Sequence, residues 1–392
     1  MKLALEVFGA LLLLVALLPW LRTYRWWVRV WDFPRVQIAV ALAAVATTYV
    51  WRYGWGDGWG DGWHIAFVLG MLAGIASELF HIRRFTPFWP KQALGTREAN
   101  PRHSFSLLIS NVRMENTRYA RYLKLVREND PDLLLVNEPD EKWAHHLAHD
   151  LNPRYPHRIE RPLPNTYGMM LYSKFPLLNP RVRHLVEQDI PSFRVTVAMP
   201  AGHTFELFTV HPQPPQFLRN TDTRESELLQ VAREVTVTPR PSIVVGDLND
   251  VAWSRSTDLF RKISGLQDPR IGRGFYNTYN AFIPFFRYSL DHVFYSPAFR
   301  LIRLRKLPAF GSDHFPMIIR LTYEPTGAAE HEIPEPEFEE VQESYEMIRD
   351  GLEAARALGT APAGTSPGPP ATEATPNQAP AAADAPGKPL AA

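Results

Sequence analysis

The chain has no cysteine, which removes disulfide scaffolds, thiolate zinc sites and cysteine nucleophiles together. It has no excess charge of either sign: 42 lysines and arginines face 41 aspartates and glutamates. No long-range field therefore steers it onto a polyanion. It lacks the glycine loops that cradle nucleotide phosphates, since GRGFYN at 272–277 fits neither a dinucleotide fingerprint nor a P-loop. It also lacks a zinc-protease motif. His145, His146 and His149 in KWAHHLAHD have no accompanying glutamate at the required place and read as a solvated helix face. A wholly disordered chain is excluded, because 45% of the 392 residues are hydrophobic. What is present falls into three unlike pieces.

The first piece is apolar. Long runs cover Leu3 to Leu21, Val36 to Trp51 and His64 to Ile82, each near the lower end of the ~17–25 residues that cross a bilayer. Three such runs predict a membrane anchor over 1–83, with a linker over 84–103. Leu17, Leu18, Pro19 and Trp20 offer no small-residue cleavage site, which argues against a signal peptide. Glu6 and Glu78 lie near the ends of their runs, where lipid headgroups would solvate them. Arginines gather on the flanks: Arg22, Arg25, Arg29 and Arg35 after the first run, Arg83, Arg84, Lys91, Arg97 and Arg102 after the third. With three spans both flanks share one side, and the positive-inside rule makes that side, and the domain that follows, cytoplasmic. WGDG at 55–58 recurs at 59–62 and reads as an interfacial turn rather than an ion site.

The last piece is a tail. Residues 324–358 are rich in glutamate and predict a partly helical acidic segment. Residues 359–392 are mostly alanine, proline, glycine and threonine and predict disorder. A protein partner for the tail is left unidentified.

The middle piece, 104–323, alternates short apolar runs with helical spacing. SFSLLIS, LLLV, YGMMLYS, FRVTVAM, FELFTV, SIVV and SLDHVFYS read as strands. Tyr119, Tyr122, Leu123 and Val126 recur as on a helix, and a second helix is expected at about 221–234. Asn111, Glu138, His211, Asp247, Asn249 and Asp291 each fall at or close to a strand end, and Asp313 with His314 lies in a turn before another strand. Taken singly these are ordinary turn residues. Taken together they form an oxygen-rich set with two imidazoles and no sulfur, which suits magnesium or manganese better than zinc.

The ordered motifs ISNVR, LLLVNEPD, TVHPQPP, VVGDLND, LDHVF and GSDHFP resemble those of the endonuclease/exonuclease/phosphatase superfamily over about 104–323. Deoxyribonuclease-like enzymes, abasic-site endonucleases, neutral sphingomyelinases and inositol polyphosphate 5-phosphatases share it, and the N-terminal runs look like its membrane-attached bacterial branch. The resemblance implies an α/β fold, a two-sheet β-sandwich flanked by helices in the deoxyribonuclease I-like four-layer manner, preceded by transmembrane helices in a bacterial inner membrane. It implies a metal held by Glu138, Asn111 and Asp313. Asp247, assisted by Asn249, would activate water; His314, held by Asp291, would donate to a phosphoryl oxygen; His211 would serve another oxygen or the leaving group. Asn165 and Tyr167 stand where the family often places phosphate-contacting groups. Arg113 occupies a place where abasic-site endonucleases commonly carry an acid, which weighs against DNA repair. The expectation is a magnesium-dependent phosphoesterase acting at a membrane surface. A tethered nuclease and a non-catalytic scaffold are its rivals, with the substrate left open among lipid headgroup, nucleic acid and soluble phosphoester.

Overall fold

A computed structural model describes residues 1–54, 62–96, 100–215 and 219–362. The WGDG repeat up to residue 61 and the tail beyond 362 lie outside the described residues. The apolar N-terminal region folds as α1 (Lys2–Leu17), the short α2 (Trp26–Arg29), α3 (Arg35–Tyr53) and α4 (Gly62–Ile82). α1 and α4 belong to helical stretches long and apolar enough to cross a membrane. A third span is counted if α3 is joined to the helical stretch Trp26–Asp32, which bends by 77° before it. α1, α3 and α4 share an apolar seam containing Ala16, Leu42, Val45, Tyr49, Phe67 and Met71. The two acids expected among headgroups are placed otherwise. Glu78 is fully buried and pairs with Arg35 at 3.3 Å, and Glu6 accepts from Tyr49 at 2.8 Å. Satisfying a buried carboxylate inside the bundle replaces the solvation it would lose.

The rest of the chain builds two packed sheets. One contains β1 (Ser104–Asn111), β2 (Leu133–Asn137), β3 (His157–Arg161), β4 (Met169–Ser173), β10 (Phe299–Lys306) and β11 (Met317–Tyr323), in the order β10-β11-β1-β2-β4-β3. The other runs in chain order through β5 (Leu177–Arg183), β6 (Ser192–Ala198), β7 (Thr204–Val210), β8 (Ser242–Asp247) and β9 (Asp291–Tyr295). Each sheet has one parallel pair near its centre, β1 with β2 and β7 with β8; the remaining pairs are antiparallel. The parallel pairs need helical crossovers, supplied by α5 (Tyr119–Asn129) and α7 (Asp222–Thr236). α6 (Glu141–Leu151) covers the first sheet beside α5, and α8 (Arg255–Ser264) covers the second beside α7. The layers are therefore helix, sheet, sheet, helix, the deoxyribonuclease I-like arrangement.

Two segments do more than a linker or a loose tail would. Phe85 and Ala93 are buried against the domain, and Gln92 accepts the Asp268 backbone N–H. The acidic segment forms α9 (Phe338–Ala357), opened by a reciprocal Glu337–Glu340 capping box, and places Met347 in the core under α7.

Candidate active site

Side chains in a strand alternate between faces. On the inner faces of the sandwich that alternation gives Leu107-Ile109, Leu133-Leu135, Ile243-Val245 and Tyr295-Val293, all in the shared core. The next inward position at the same edge holds Asn111, Asn137, Asp247 and Asp291 respectively. His211 follows β7 in the same phase as Phe205 and Leu207. The site is thus the last layer of the core, turned polar at the edge to which both parallel pairs deliver their C-terminal ends. Strand phase alone would point Glu138, one residue past Asn137, to the other face. Its φ of +61° turns it back, with its N–H held by the Gly168 carbonyl at 2.8 Å. A left-handed glutamate costs on the order of 1–3 kcal/mol, and such strain collects where function requires a direction.

The side chains meet closely. Asn111 donates from Nδ2 to Glu138 Oε1 at 2.7 Å and to Asp247 Oδ2 at 3.1 Å. His211 Nε2 lies 3.9 Å from both the Glu138 and Asp247 carboxylates. His314 Nδ1 pairs with Asp291 Oδ2 at 2.9 Å, while its Nε2 faces Asp247 Oδ2 at 3.5 Å. The Asn249 backbone N–H donates to Asp247 Oδ1 at 3.0 Å, and its side-chain amide donates to the Pro212 carbonyl. Asp313 stands at the rim: its backbone carbonyl accepts from Ala281, and its charge is felt by both Glu138 and His314.

Electrostatics separate these groups into roles. Burial alone would lower His314, but the carboxylates of Asp247 and Asp291 outweigh it and raise its pKa to about 10, so the ring is a cation at neutral pH. Burial holds His211 below its ordinary value, so it is neutral. Burial and the neighbouring Asp247 push Glu138 up to about 7, against the pull of its Asn111 hydrogen bond. Burial likewise raises Asp247. A carboxyl lifted to neutrality beside a second buried carboxyl marks an unmet demand for positive charge. Asp291 Oδ1 and His211 Nδ1 are buried without a hydrogen-bond partner, so the pocket also has unused acceptor capacity. Asp247, Asp291 and His314 bring ligand-type atoms within 4.8 Å of one another. His314 is committed to Asp291 as a cation, however, and a protonated imidazole does not ligate a metal. Glu138, Asn111 and Asp313 carry oxygen donors of the kind a hard divalent ion takes, with Asn111 Oδ1 here accepting the Arg113 N–H at 2.9 Å.

Of the loosely matched positions, Tyr167 lies with its ring 5.9 Å from that of His211. Asn165 instead turns outward, donating to the Asp189 carbonyl and fixing the Tyr167 N–H. Arg113 sits at the mouth above the Phe282 ring. His145, His146 and His149 are exposed on α6, away from this cluster. Sequence reasoning missed the support beneath. Arg270 grips Asp268 at 2.7 Å, bonds His292 and Ser289, and reaches the Asp291 carbonyl. Tyr279 packs on His314 with ring centroids 5.1 Å apart. No short motif joins these residues, although His292 lies inside LDHVF.

The chain is similar to several solved structures: an endonuclease/exonuclease/phosphatase family protein from Bacteroides thetaiotaomicron (20% identity, TM-score 0.48, covering 56% of this chain and 98% of the other), one from Bacteroides vulgatus (17%, 0.46, 56% and 99%), and the human Nocturnin catalytic domain (18%, 0.46, 57% and 96%). No curated protein matches it. The model of the Endonuclease/Exonuclease/phosphatase family matches residues 108–314, a stretch that begins in β1 and ends on His314 and so takes in every side chain of the cluster. The chain belongs to the endonuclease/exonuclease/phosphatase family and is by that membership a metal-dependent phosphoric ester hydrolase.

Proposed function

We propose that the chain is a membrane-anchored phosphodiesterase that cleaves the headgroup phosphodiester of a lipid in the bilayer its anchor occupies. The observation that carries this is an apolar loop between site and anchor. Phe282, Ile283, Phe285 and Phe286 are all exposed, Phe285 by 82%. One end of the loop holds the site, since Ala281 N–H donates to the Asp313 carbonyl. The other touches the anchor, since Gln37 of α3 donates to the Phe285 carbonyl at 2.5 Å. A contiguous aromatic patch is costly in water and is at home at a bilayer surface. Its continuity with α3 supports a site that faces lipid. The arginine-rich flanks argue for the cytoplasmic leaflet, which reporters fused after Phe85 would test.

Glu138, Asn111 and Asp313 would hold the metal, magnesium or manganese by the hardness of its oxygen donors. When bound, the ion supplies Lewis-acid stabilisation of charge on the phosphoryl group. Asp247 Oδ2, with Oδ1 pinned by Asn249, takes the proton of the attacking water as its oxygen bonds to phosphorus. The phosphorus–oxygen bond to the leaving group breaks on the opposite face, in line, and the departing oxygen takes up a proton from solvent water. His314, charged and oriented by Asp291, donates to a non-bridging oxygen as negative charge builds, and His211 would serve another oxygen or the leaving group.

The experiment uses full-length protein in vesicles with magnesium or chelator, beside Asp247→Asn. Headgroup release is followed alongside cleavage of a water-soluble phosphodiester and of DNA. Phe285→Ser/Phe286→Ser should slow lipid turnover at least tenfold and leave the soluble substrate unaffected. Rapid DNA cleavage in free solution, steeply salt-dependent, with lipid inert would replace this reading with a tethered nuclease. No turnover of any substrate would favour the scaffold.

A further inference from the structure

A cavity of about 390 Å³ lies where the helical bundle meets the hydrolase domain, within the ~300–1,000 Å³ range of small-ligand sites. It is separate from the cluster around Asp247 and shares no residue with it. Its outer wall is Trp20 and Phe80, at the domain-side ends of the first and last apolar runs, with Trp253 of the domain behind them. Trp20 is fixed by a 2.8 Å bond to Ser77 and by stacking on Phe80. Tryptophan at a span end marks the headgroup level.

The lining carries six arginines against three aspartates, and most of the cations are already committed. Arg35 pairs with Asp32 and Glu78, Arg84 and Arg261 share Asp258, and Arg255 pairs with Glu343. Arg22 and Arg83 have no carboxylate partner among the described residues. Arg83 is held over the Phe80 ring and bonded to the Phe80 carbonyl, which positions its guanidinium without neutralising it. His81 contributes a buried Nε2 with no hydrogen-bond partner. Two guanidinium groups without an ion pair and an orphaned imidazole nitrogen around one cavity form a receptor for a phosphate-type anion. The aromatic wall and the span ends on either side place that anion at the end of an acyl chain.

We propose that this cavity binds the phosphate of an anionic phospholipid, as a resident lipid distinct from any substrate, between the ends of α1 and α4 and the hydrolase domain. The bound headgroup supplies the charge that Arg22 and Arg83 lack and bridges anchor to domain.

The test reads binding alone, so it stands apart from the proposed catalysis. Full-length Asp247→Asn protein in zwitterionic detergent, with chelator, is titrated with phosphatidylglycerol, phosphatidylcholine or inorganic phosphate, and bound lipid is read by native mass spectrometry. Phosphatidylglycerol should be retained and phosphatidylcholine should not. Arg22→Gln/Arg83→Gln should weaken retention on the order of thirtyfold, from two arginines at a headgroup surface. Arg22→Lys/Arg83→Lys should recover part of it. Arg158→Gln/Arg161→Gln on β3, with the same loss of charge, should change nothing. Equal loss in that control would reduce the effect to bulk electrostatics and overturn the site. Displacement of the lipid by millimolar inorganic phosphate would overturn the lipid assignment, and unchanged retention in the double glutamine variant would overturn both.

Discussion

Replacing Asp291 with asparagine keeps the shape of the side chain under His314 and removes its charge. The rise of His314 from an ordinary 6.5 to about 10 corresponds to ~5 kcal/mol of preference for the charged ring. Asp291 contributes through its charge and through the 2.9 Å bond to Nδ1, while Asp247 and Asp313 supply the rest. Removing about half of that preference should bring the basic limb of kcat/KM down by about two pH units. The sign follows from the chemistry: the donor is active while protonated, so activity present at low pH is lost as pH rises through the His314 pKa. With its limb centred two units lower, the variant should lose about half its activity at pH 8 and about fiftyfold relative to the parent by pH 10, the ratio of the two protonated fractions. The assay is initial-rate hydrolysis of bis(p-nitrophenyl) phosphate from pH 6 to 10.5 at saturating magnesium. A bound cation lowers the limb in both proteins, so the difference between them is the informative quantity. Coincident profiles would refute a donor role for His314 and leave its bond to Asp291 a packing feature.

Glu138 must lose its proton to hold an ion, and burial has pushed that proton's release up to about 7. Calorimetric metal affinity should therefore fall about tenfold per pH unit below 7, and Glu138→Gln should be both weaker and flat with pH. Gly246 has a φ of +156°, and a Cβ there would sit 1.8 Å from the Val210 carbonyl oxygen. Gly246→Ala should force β7 and β8 apart, cost ~3 kcal/mol or more, and abolish turnover through displaced Asp247; an unchanged melting temperature would contradict this. Glu227 on α7 is buried with an unpaired carboxyl oxygen, and burial lifts it from 4.5 to about 8. The folded chain keeps that proton to about 8, whereas the unfolded chain loses it near 4.5, so stability drains away as pH rises between the two. Glu227→Gln should gain ~3 kcal/mol at pH 7 and remove most of the decline, as read by melting temperature from pH 5 to 8.

The positions most visible in the sequence were those at the ends of central strands. Asn111, Glu138, His211 and Asp247 follow short apolar runs because parallel strands are buried on both faces and break their pattern abruptly where the site begins. Edge strands gave no such signal. β5 is largely exposed and contains Pro180, which an edge tolerates, and β3 buries only Ile159. The Arg270, Asp268 and His292 support was illegible for another reason. Its members lie 24 residues apart at the extremes, and each alone is a polar residue near a turn. The aromatic loop at 282–286 gives no sequence signal because an apolar run with a proline inside reads as neither strand nor helix. Only its exposure, beside both Asp313 and Gln37, gives it meaning.

The junction between bundle and domain bears on why an anchor would be built this way. Arg35 pairs with Asp32, Asp32 with Arg29 at 2.9 Å, and Arg29 with Glu225 at 3.4 Å. Arg224 then bonds Glu225, Asp250 and the Asn249 carbonyl, two residues from Asp247. Trp253 donates to the Asp32 carbonyl, and Phe33 meets Tyr288 edge-on at 5.5 Å. Buried ion pairs repay little of their desolvation, so mere tethering would be served as well by a flexible, solvated linker. What such pairs do supply is a single geometry, because breaking any one strands a charge. An anchor that only localised the enzyme would have no use for that. The anchoring proposed above, which holds a site at a fixed height and tilt over a bilayer, would have that use, and the aromatic loop is tied to the same bundle through Gln37.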